Sequence, residues 1–211
     1  QRNKDQRGLF ILHMEEIKPT VLAMYSGGLD SLGMVYRLLT DPEYKDYDIH
    51  VHHVHNKNIE LRHKAEAIAV DLATRELKRL GFAFAYSESE IGTQPYGKNF
   101  LYDSDTINFF AGYICSVNPD IKLVAMGMQA NDGNHALEER RKRADKILAA
   151  FTPAKKIYPV LNLSKREIYD SLPESLRNLF WSCRRPVYTE KNIAPCGKCD
   201  TCIKLKEQGI R

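Results

Sequence analysis

The sequence lacks long apolar runs and has little excess charge of either sign. Its 211 residues contain no apolar run near the ~18 residues that cross a bilayer, so we expect no membrane span. The 31 basic and 27 acidic residues leave a net charge of +4, which gives no strong nucleic-acid signal. The apolar patch at 9–12 is too short for a secretory signal. We therefore expect a soluble, cytoplasmic, globular protein.

Cysteine is scarce and unevenly distributed. Four of the five cysteines lie between Cys183 and Cys202, and Cys115 stands alone. A disulfide framework is unusual in a reducing compartment and in a chain this long. The clustering indicates a metal site, whereas Cys115 is predicted to be a small buried hydrophobic residue.

From residue 19 onward, short apolar segments alternate with segments of helical periodicity. Strands are expected at 21–25, 49–54, 82–87, 122–126 and 156–160, and helices between them and at 165–172. This alternation predicts an α/β fold with a doubly wound, mostly parallel, Rossmann-like sheet. We expect a loose N-terminal arm or expression remnant at 1–18, a catalytic domain at 19–180 and a small zinc-binding knuckle at 181–211.

The segment Ser26-Gly27-Gly28-Leu29-Asp30-Ser31 joins the first strand to the first helix. Backbone N–H groups and the helix dipole converge there, and paired glycines permit close backbone approach, so the turn favours phosphate. Asp30 is expected to hold Mg²⁺ or to cap the helix. A strand-to-helix turn of purely structural origin also favours Gly, Ser and Asp. The functional interpretation assigns catalytic roles to Ser26, Asp30 and Ser31, and assigns contacts with a phosphate-bearing ligand to Tyr25, Ser26, Gly27, Gly28, Leu29, Asp30, Ser31, Leu32, Gly33, Met34 and Val35.

The cysteine cluster places Cys196, Cys199 and Cys202 at three-residue spacing, with Cys183 upstream. Four thiolates suit one tetrahedral Zn²⁺ ion and leave no open position for water, so a structural role is expected. Free buried cysteines and an iron–sulfur cluster remain the alternatives.

The hexapeptide at 26–31 resembles the Ser-Gly-Gly-x-Asp-Ser signature of the PP-loop, or N-type, ATP pyrophosphatases. Together with Trp-Ser-Cys at 181–183 and Pro-Cys-Gly-Lys-Cys-Asp-Thr-Cys at 195–202, it resembles the 7-cyano-7-deazaguanine synthase family. Segments 97–100, 127–132 and 159–165 are also similar to that family, so the resemblance extends over roughly 21–208.

This resemblance implies an adenine-nucleotide alpha-hydrolase-like fold and a carbon–nitrogen ligase that uses ATP, Mg²⁺ and Zn²⁺. It implies that ATP adenylates the carboxylate of 7-carboxy-7-deazaguanine, that ammonia displaces AMP to form an amide, and that a second ATP drives dehydration to the nitrile. Lys98 is expected to stabilise charge in this reaction, with Arg140 and Arg141 as further candidates. A homodimer is left open.

The chain departs from the family at 52–58, where His-His-Val-His-Asn-Lys-Asn replaces an expected Tyr-Gly-Gln-x-His stretch. His53 or His55 is a candidate for a ligand pocket, and a second metal site is disfavoured because the histidines alternate along a strand. Another carboxylate, carried by a protein or a nucleic acid, therefore stays open. A tRNA-thiolation enzyme of the PP-loop type and a non-catalytic zinc-knuckle module also remain alternatives.

Overall fold

A computed structural model of the chain describes residues 18–93, 103–129 and 135–210. Its main sheet has the strand order β3-β2-β1-β4-β5, and every pairing in it is parallel. The five strands are β1 Thr20–Met24, β2 Asp48–Lys57, β3 Ala85–Gly92, β4 Ile121–Met126 and β5 Lys155–Ile157. The chain winds outward from β1 to β3 and then crosses to β4 on the other side of β1. The carboxyl ends of β1 and β4 thus form the switch point at which such sheets bind ligands.

Helices follow the strands and cover both faces of the sheet. They are α1 Leu29–Thr40, α2 His63–Arg79, α3 Asp103–Val117, α4 His135–Ala149, α5 Lys165–Ser171 and α6 Asp200–Glu207. A small antiparallel hairpin, β6 Val187–Tyr188 and β7 Ile193–Ala194, precedes α6.

The central strand β1 shows why the sheet has two covered faces. Val21 and Ala23 pack in one hydrophobic cluster with side chains of α1, α2 and α5, whereas Leu22 and Met24 pack in a second cluster with α3 and α4. Successive side chains of a strand point to opposite faces, so a strand buried on both sides must be apolar throughout. The predicted α/β, doubly wound, parallel architecture is confirmed.

Several parts of the secondary structure differ from the sequence prediction. The fifth strand was placed at 156–160, but it is Lys155–Ile157, because the chain then turns and the amide of Leu161 donates to Tyr158 O at 3.1 Å. The third strand was placed at 82–87, but it begins at Ala85 and ends at Gly92, because Phe82 and Phe84 pack against the core before the strand begins. As an edge strand, β3 alternates half-buried and exposed side chains and lacks an apolar run. The β6–β7 hairpin and α6 were not predicted. The domain limits stay a prediction, and residues 1–17 lie outside the described residues.

Within the described ranges, no helix is long and apolar enough to cross a membrane.

Candidate functional site

The segment 26–31, which we call the phosphate loop, lies at the carboxyl end of β1 and at the first turn of α1. Gly28 has extended backbone angles and is the N-cap of α1, without a side-chain cap hydrogen bond. The amides of Gly28 and Leu29 donate only long hydrogen bonds, each 3.4 Å, to the hydroxyls of Ser26 and Ser182. Contacts of this length are weak, so an anionic ligand could replace them at the positive end of the helix dipole.

The two serines of the loop form a closed hydrogen-bond arrangement. Ser31 Oγ donates to Gly28 O at 3.0 Å and accepts the amide of Ser26 at 3.2 Å. The two hydroxyl oxygens lie 3.0 Å apart, which leaves Ser26 Oγ as the donor of that bond. Ser31 is buried and Ser26 is exposed. Ser31 therefore shapes the loop, while Ser26 is accessible to a ligand.

Two glycines allow the close approaches that the loop requires. Gly27 has φ +82°, and a Cβ there would lie 3.0 Å from Glu66 O. Gly127 follows β4, and a Cβ there would lie 2.5 Å from Ser31 Cα. Both obstacles are backbone atoms, so a larger residue would displace the loop.

Asp30 and Lys165 form an ion pair that sequence reasoning missed. Lys165 Nζ lies 2.5 Å from Asp30 Oδ2, and the Lys165 side chain is buried. Lys165 is the first residue of α5, whose start is fixed by a capping box between Ser164 and Glu167. A lysine at a helix N-terminus opposes the helix dipole, and this anomaly is the signal that could have indicated a partner.

The segment 181–183, which we call the strap, connects the phosphate loop to the cysteine cluster. The amide of Trp181 donates to Gly27 O at 2.7 Å, and Ser182 Oγ accepts the amide of Leu29 at 3.4 Å. Trp181 Nε1 donates to the carbonyl of Cys183 at 2.9 Å. Trp181 and Ser182 thus contact the phosphate loop, and the next residue, Cys183, is a candidate metal ligand.

The four clustered cysteines converge on one point. Their Sγ atoms all lie within 4.8 Å of one another, and those of Cys199 and Cys202 are 3.5 Å apart. Four thiolates at ~2.3 Å from one Zn²⁺ ion would be about 3.8 Å apart, so the arrangement fits a single tetrahedral ion. An iron–sulfur cluster spreads its thiolates over several iron atoms and needs larger separations.

Backbone amides also favour thiolates in this cluster. Cys183 Sγ accepts the amides of Cys196 at 3.2 Å and Arg185 at 3.4 Å, and Cys196 Sγ accepts that of Cys199 at 3.3 Å. Amide hydrogen bonds, first from Lys198 and then from Cys199, lower the pKa of Cys196 to about 6. Burial instead raises the pKa of Cys183, and it raises that of Cys202 to about 12. Because metals bind the thiolate form, the amide hydrogen bonds favour metal binding most at Cys196.

A cleft of about 380 Å³ lies beside the phosphate loop, at the carboxyl ends of β1 and β2. Its lining residues are Met24, Tyr25, Ser26, His52, Val54, Asn56, Arg62, Glu66, Asp103 and Ile107. This volume includes space open to solvent. The enclosed part, about 30 Å³, has room for only a few water molecules, so a larger ligand would extend into the open part. The walls combine apolar side chains with a polar end, which is the composition of a pocket for an organic ligand.

The polar end of the cleft is a network around Arg62 and Asp103. Asp103 accepts hydrogen bonds from Asn56 at 2.9 Å and from Arg62. Arg62 Nε also lies 3.3 Å from Glu66 and 3.1 Å from Glu60. Burial raises the pKa of Glu66 to about 7, against the opposing effect of Arg62. None of these residues was predicted as a site residue, because they meet only in the folded chain.

This network also reaches the residue after Cys183. Arg184 lies 2.8 Å from Glu60 and 3.6 Å from Asp103, so it joins the cleft to the cysteine cluster.

Comparisons with known proteins leave the family open. No family model matches the chain, and no curated protein sequence matches it. Among solved structures, the chain is similar to the U34-tRNA thiolase NcsA from Methanococcus maripaludis, described with its [4Fe-4S] cluster. The likeness has a TM-score of 0.48 and 19% sequence identity, over 91% of this chain and 65% of that one. The chain thus spans less than two thirds of that neighbour, and a likeness at this level identifies neither substrate nor metal.

The structure separates the residues assigned to ATP binding into two groups. Ser26, Gly27, Gly28 and Asp30 form the turn itself. The side chains of Leu32, Met34 and Val35 are buried in the hydrophobic core. Leu29 is buried there too, Tyr25 is buried while lining the cleft, and Gly33 packs on Ile168. Among the residues assigned to ATP binding, those at 26–31 are therefore the best placed to contact phosphate, and the assignment of the whole segment stays a prediction.

Of the three predicted cations, the structure describes the side chain of Arg141 alone. Lys98 lies outside the described residues, as does the side chain of Arg140. Arg141 is half-buried and does not line the cleft. The cations that the structure places near the loop and cleft are Lys165, Arg62 and Arg184.

The histidines also differ from expectation. His53 Nδ1 lies 2.8 Å from Tyr25 O, and His55 Nε2 lies 3.0 Å from Glu88. Neither lines the cleft, whereas His52 does.

Proposed function

We propose that this protein is a PP-loop ATP pyrophosphatase, which cleaves ATP to AMP and pyrophosphate to activate a carboxylate. The observation that carries the proposal is the phosphate loop: Ser26, two glycines and Asp30 at a helix N-terminus, beside the β1–β4 switch point. The buried Lys165 pairs with Asp30 and supplies positive charge next to the loop.

The chemistry follows from the leaving group. A carboxylate oxygen of the acceptor attacks the α-phosphorus, and the bond from that phosphorus to the bridging oxygen breaks, so pyrophosphate leaves. The loop amides and Ser26 stabilise the negative charge that develops on the departing pyrophosphate. Asp30 is the residue that would hold Mg²⁺, which neutralises phosphate charge when bound.

The acceptor that we propose is 7-carboxy-7-deazaguanine, with ammonia as the nitrogen donor. AMP is a good leaving group, so ammonia displaces it from the acyl adenylate to give the amide. The amide oxygen then attacks the α-phosphorus of a second ATP and displaces pyrophosphate; AMP leaves with that oxygen, the nitrogen loses its two protons, and the nitrile forms. The mixed apolar and polar cleft beside Ser26 supports a planar acceptor with hydrogen-bonding edges.

Mass spectrometry of a reaction containing the acceptor, ATP, Mg²⁺ and ammonia tests this assignment. We expect 7-cyano-7-deazaguanine. The amide as sole product would limit the enzyme to the first stage. Cleavage of ATP with neither product would refute this acceptor and favour another carboxylate or a tRNA-directed PP-loop reaction.

For the cysteine cluster we propose one structural Zn²⁺ ion bound by Cys183, Cys196, Cys199 and Cys202. The sulfur separations support a single ion, since all four atoms lie within 4.8 Å of one another. Elemental analysis should give one zinc per chain, with unchanged content in Cys115→Ser. Iron with acid-labile sulfide would contradict the proposal.

A further inference from the structure

The cleft beside Ser26 contains a buried imidazole whose role the proposed reaction leaves unassigned. His52 lies on β2, is only 2% exposed, and lines the cleft together with the apolar side chains of Met24, Val54 and Ile107. A buried polar ring in an otherwise apolar wall is unusual unless its nitrogens are hydrogen-bonded.

One nitrogen of His52 is used within the protein. His52 Nδ1 and His50 Nε2 each lie 2.7 Å from Ser87 Oγ on the neighbouring strand β3. A hydroxyl has one proton to donate, so it donates to one imidazole and accepts from the other. Ser87 therefore fixes the orientation of the His52 ring and links its tautomer to that of His50.

The other nitrogen remains available. His52 Nε2 is buried and has no hydrogen-bond partner among the residues that the structure describes. Burial, with smaller effects of neighbouring histidines, lowers the pKa of His52 to about 4, so the ring is neutral near pH 7. In the neutral ring Nε2 either donates or accepts one hydrogen bond, and the Ser87 arrangement is compatible with both.

We propose that His52 is a specificity-determining residue, whose Nε2 hydrogen-bonds the edge of a purine-type ring bound in the cleft. This inference rests on the proposed function, because the proposed reaction has two ligands with such a ring. They are ATP, through its adenine, and the deazapurine acceptor. The apolar side chains beside His52 contact the part of the ring that enters the cleft, and a neutral imidazole recognises its edge without requiring a charge on the ligand.

The proposal is tested by calorimetric titration of wild type and His52→Leu. Three ligands are used: ATP, 7-carboxy-7-deazaguanine and inorganic tripolyphosphate. Leucine keeps the apolar volume but removes both nitrogens, so the affinity for one purine-type ligand should fall about tenfold. The ligand that is affected identifies the source of the ring. Tripolyphosphate has no ring, and its affinity should remain unchanged.

Matched variants separate recognition from folding. His55→Gln, on the same strand but outside the cleft, should bind both ligands as wild type does, and His52→Gln should retain part of the affinity. Ser87→Ala leaves the His52 nitrogens in place but removes their anchor, so it should give a smaller loss of the same ligand. It provides the test if His52→Leu does not fold.

The inference is wrong if the wild type binds neither purine-type ligand. It is also wrong if His52→Leu, or Ser87→Ala in its place, binds both ligands within twofold of wild type, or if tripolyphosphate binding falls in parallel. Release of AMP from ATP is measured separately, so the two proposals can fail independently. A wild type that binds a purine ring through His52 but leaves ATP intact refutes the proposed function alone.

Discussion

The phosphate loop and the cysteine cluster are joined by the strap, yet they are stabilised in different ways. The loop continues from β1, whose Val21, Leu22 and Ala23 are fully buried, and it is held by contacts from β4, α2 and α5. The cysteines of the cluster lie before the two-residue strands, after them and in the eight-residue α6, of which Leu205 is the one buried residue. The core thus determines the shape of the loop, whereas a bound metal would have to determine that of the cluster.

This difference makes the strap the place where metal binding would influence ATP binding. Trp181 and Ser182 contact the backbone of the loop, and Cys183 is the next residue. Loss of the metal should loosen the strap while the sheet remains folded.

The largest effect is expected from Asp30→Ala, which removes the carboxylate of the loop. Pyrophosphate release should fall by about a hundredfold or more, as when a preorganised charge-stabilising group is deleted. The substitution also leaves Lys165 buried without this partner, so the free energy of unfolding is measured in parallel.

The double variant Asp30→Ala/Lys165→Met is the control for that lost ion pair. It should recover stability relative to Asp30→Ala but no activity. Near wild-type activity of Asp30→Ala in a folded protein would show that the loop does not act through this carboxylate.

Removal of the metal is expected to have the next largest effect. Dialysis against a chelator should weaken ATP binding about tenfold and increase amide hydrogen exchange at 181–207, while exchange in β1 and β4 stays protected. Cys115→Ser should respond to the chelator as wild type does, because Cys115 packs in the core away from the cluster. Equal ATP affinity with and without metal would separate the two regions and disprove the coupling.

Gly127→Ala tests whether β4 supports the loop sterically. The added Cβ would lie 2.5 Å from Ser31 Cα, so the backbone must shift, at a cost of about 1–3 kcal/mol in the free energy of unfolding and with weaker ATP binding. Gly92→Ala is the matched control, since its Cβ would meet nothing within 4 Å. Identical denaturation midpoints and ATP affinities for the two variants would contradict the close approach.

The smallest effect is expected from Ser182→Ala. Its hydroxyl accepts a long hydrogen bond of 3.4 Å from Leu29, so its loss should weaken ATP binding by several fold, or about 1 kcal/mol. Calorimetric titration of zinc-loaded protein measures it. If Ser182→Ala weakens ATP binding as much as the chelator does, this one hydrogen bond accounts for the whole effect of the metal on ATP binding.

The sequence predicted the parts of the site that are local in the chain. The phosphate loop is one hexapeptide, and three of the clustered cysteines have regular spacing, so both could be located from short segments. The Lys165–Asp30 pair spans 135 residues and the Ser182–Leu29 contact spans 153, and no local pattern indicates such contacts. The roles of Arg62 and Asp103 were missed for the same reason. The position of β3 was missed because an edge strand needs no apolar run.

The nucleotide products formed from ATP test the central claim most directly. The protein is incubated with Mg²⁺, ammonia and 7-carboxy-7-deazaguanine, and AMP, ADP, pyrophosphate and phosphate are quantified by ³¹P NMR. If the phosphate loop holds the departing pyrophosphate, AMP and pyrophosphate appear in equal amounts, and Asp30→Ala forms neither. Formation of ADP and phosphate in place of AMP and pyrophosphate, or equal AMP formation by Asp30→Ala, would contradict the account.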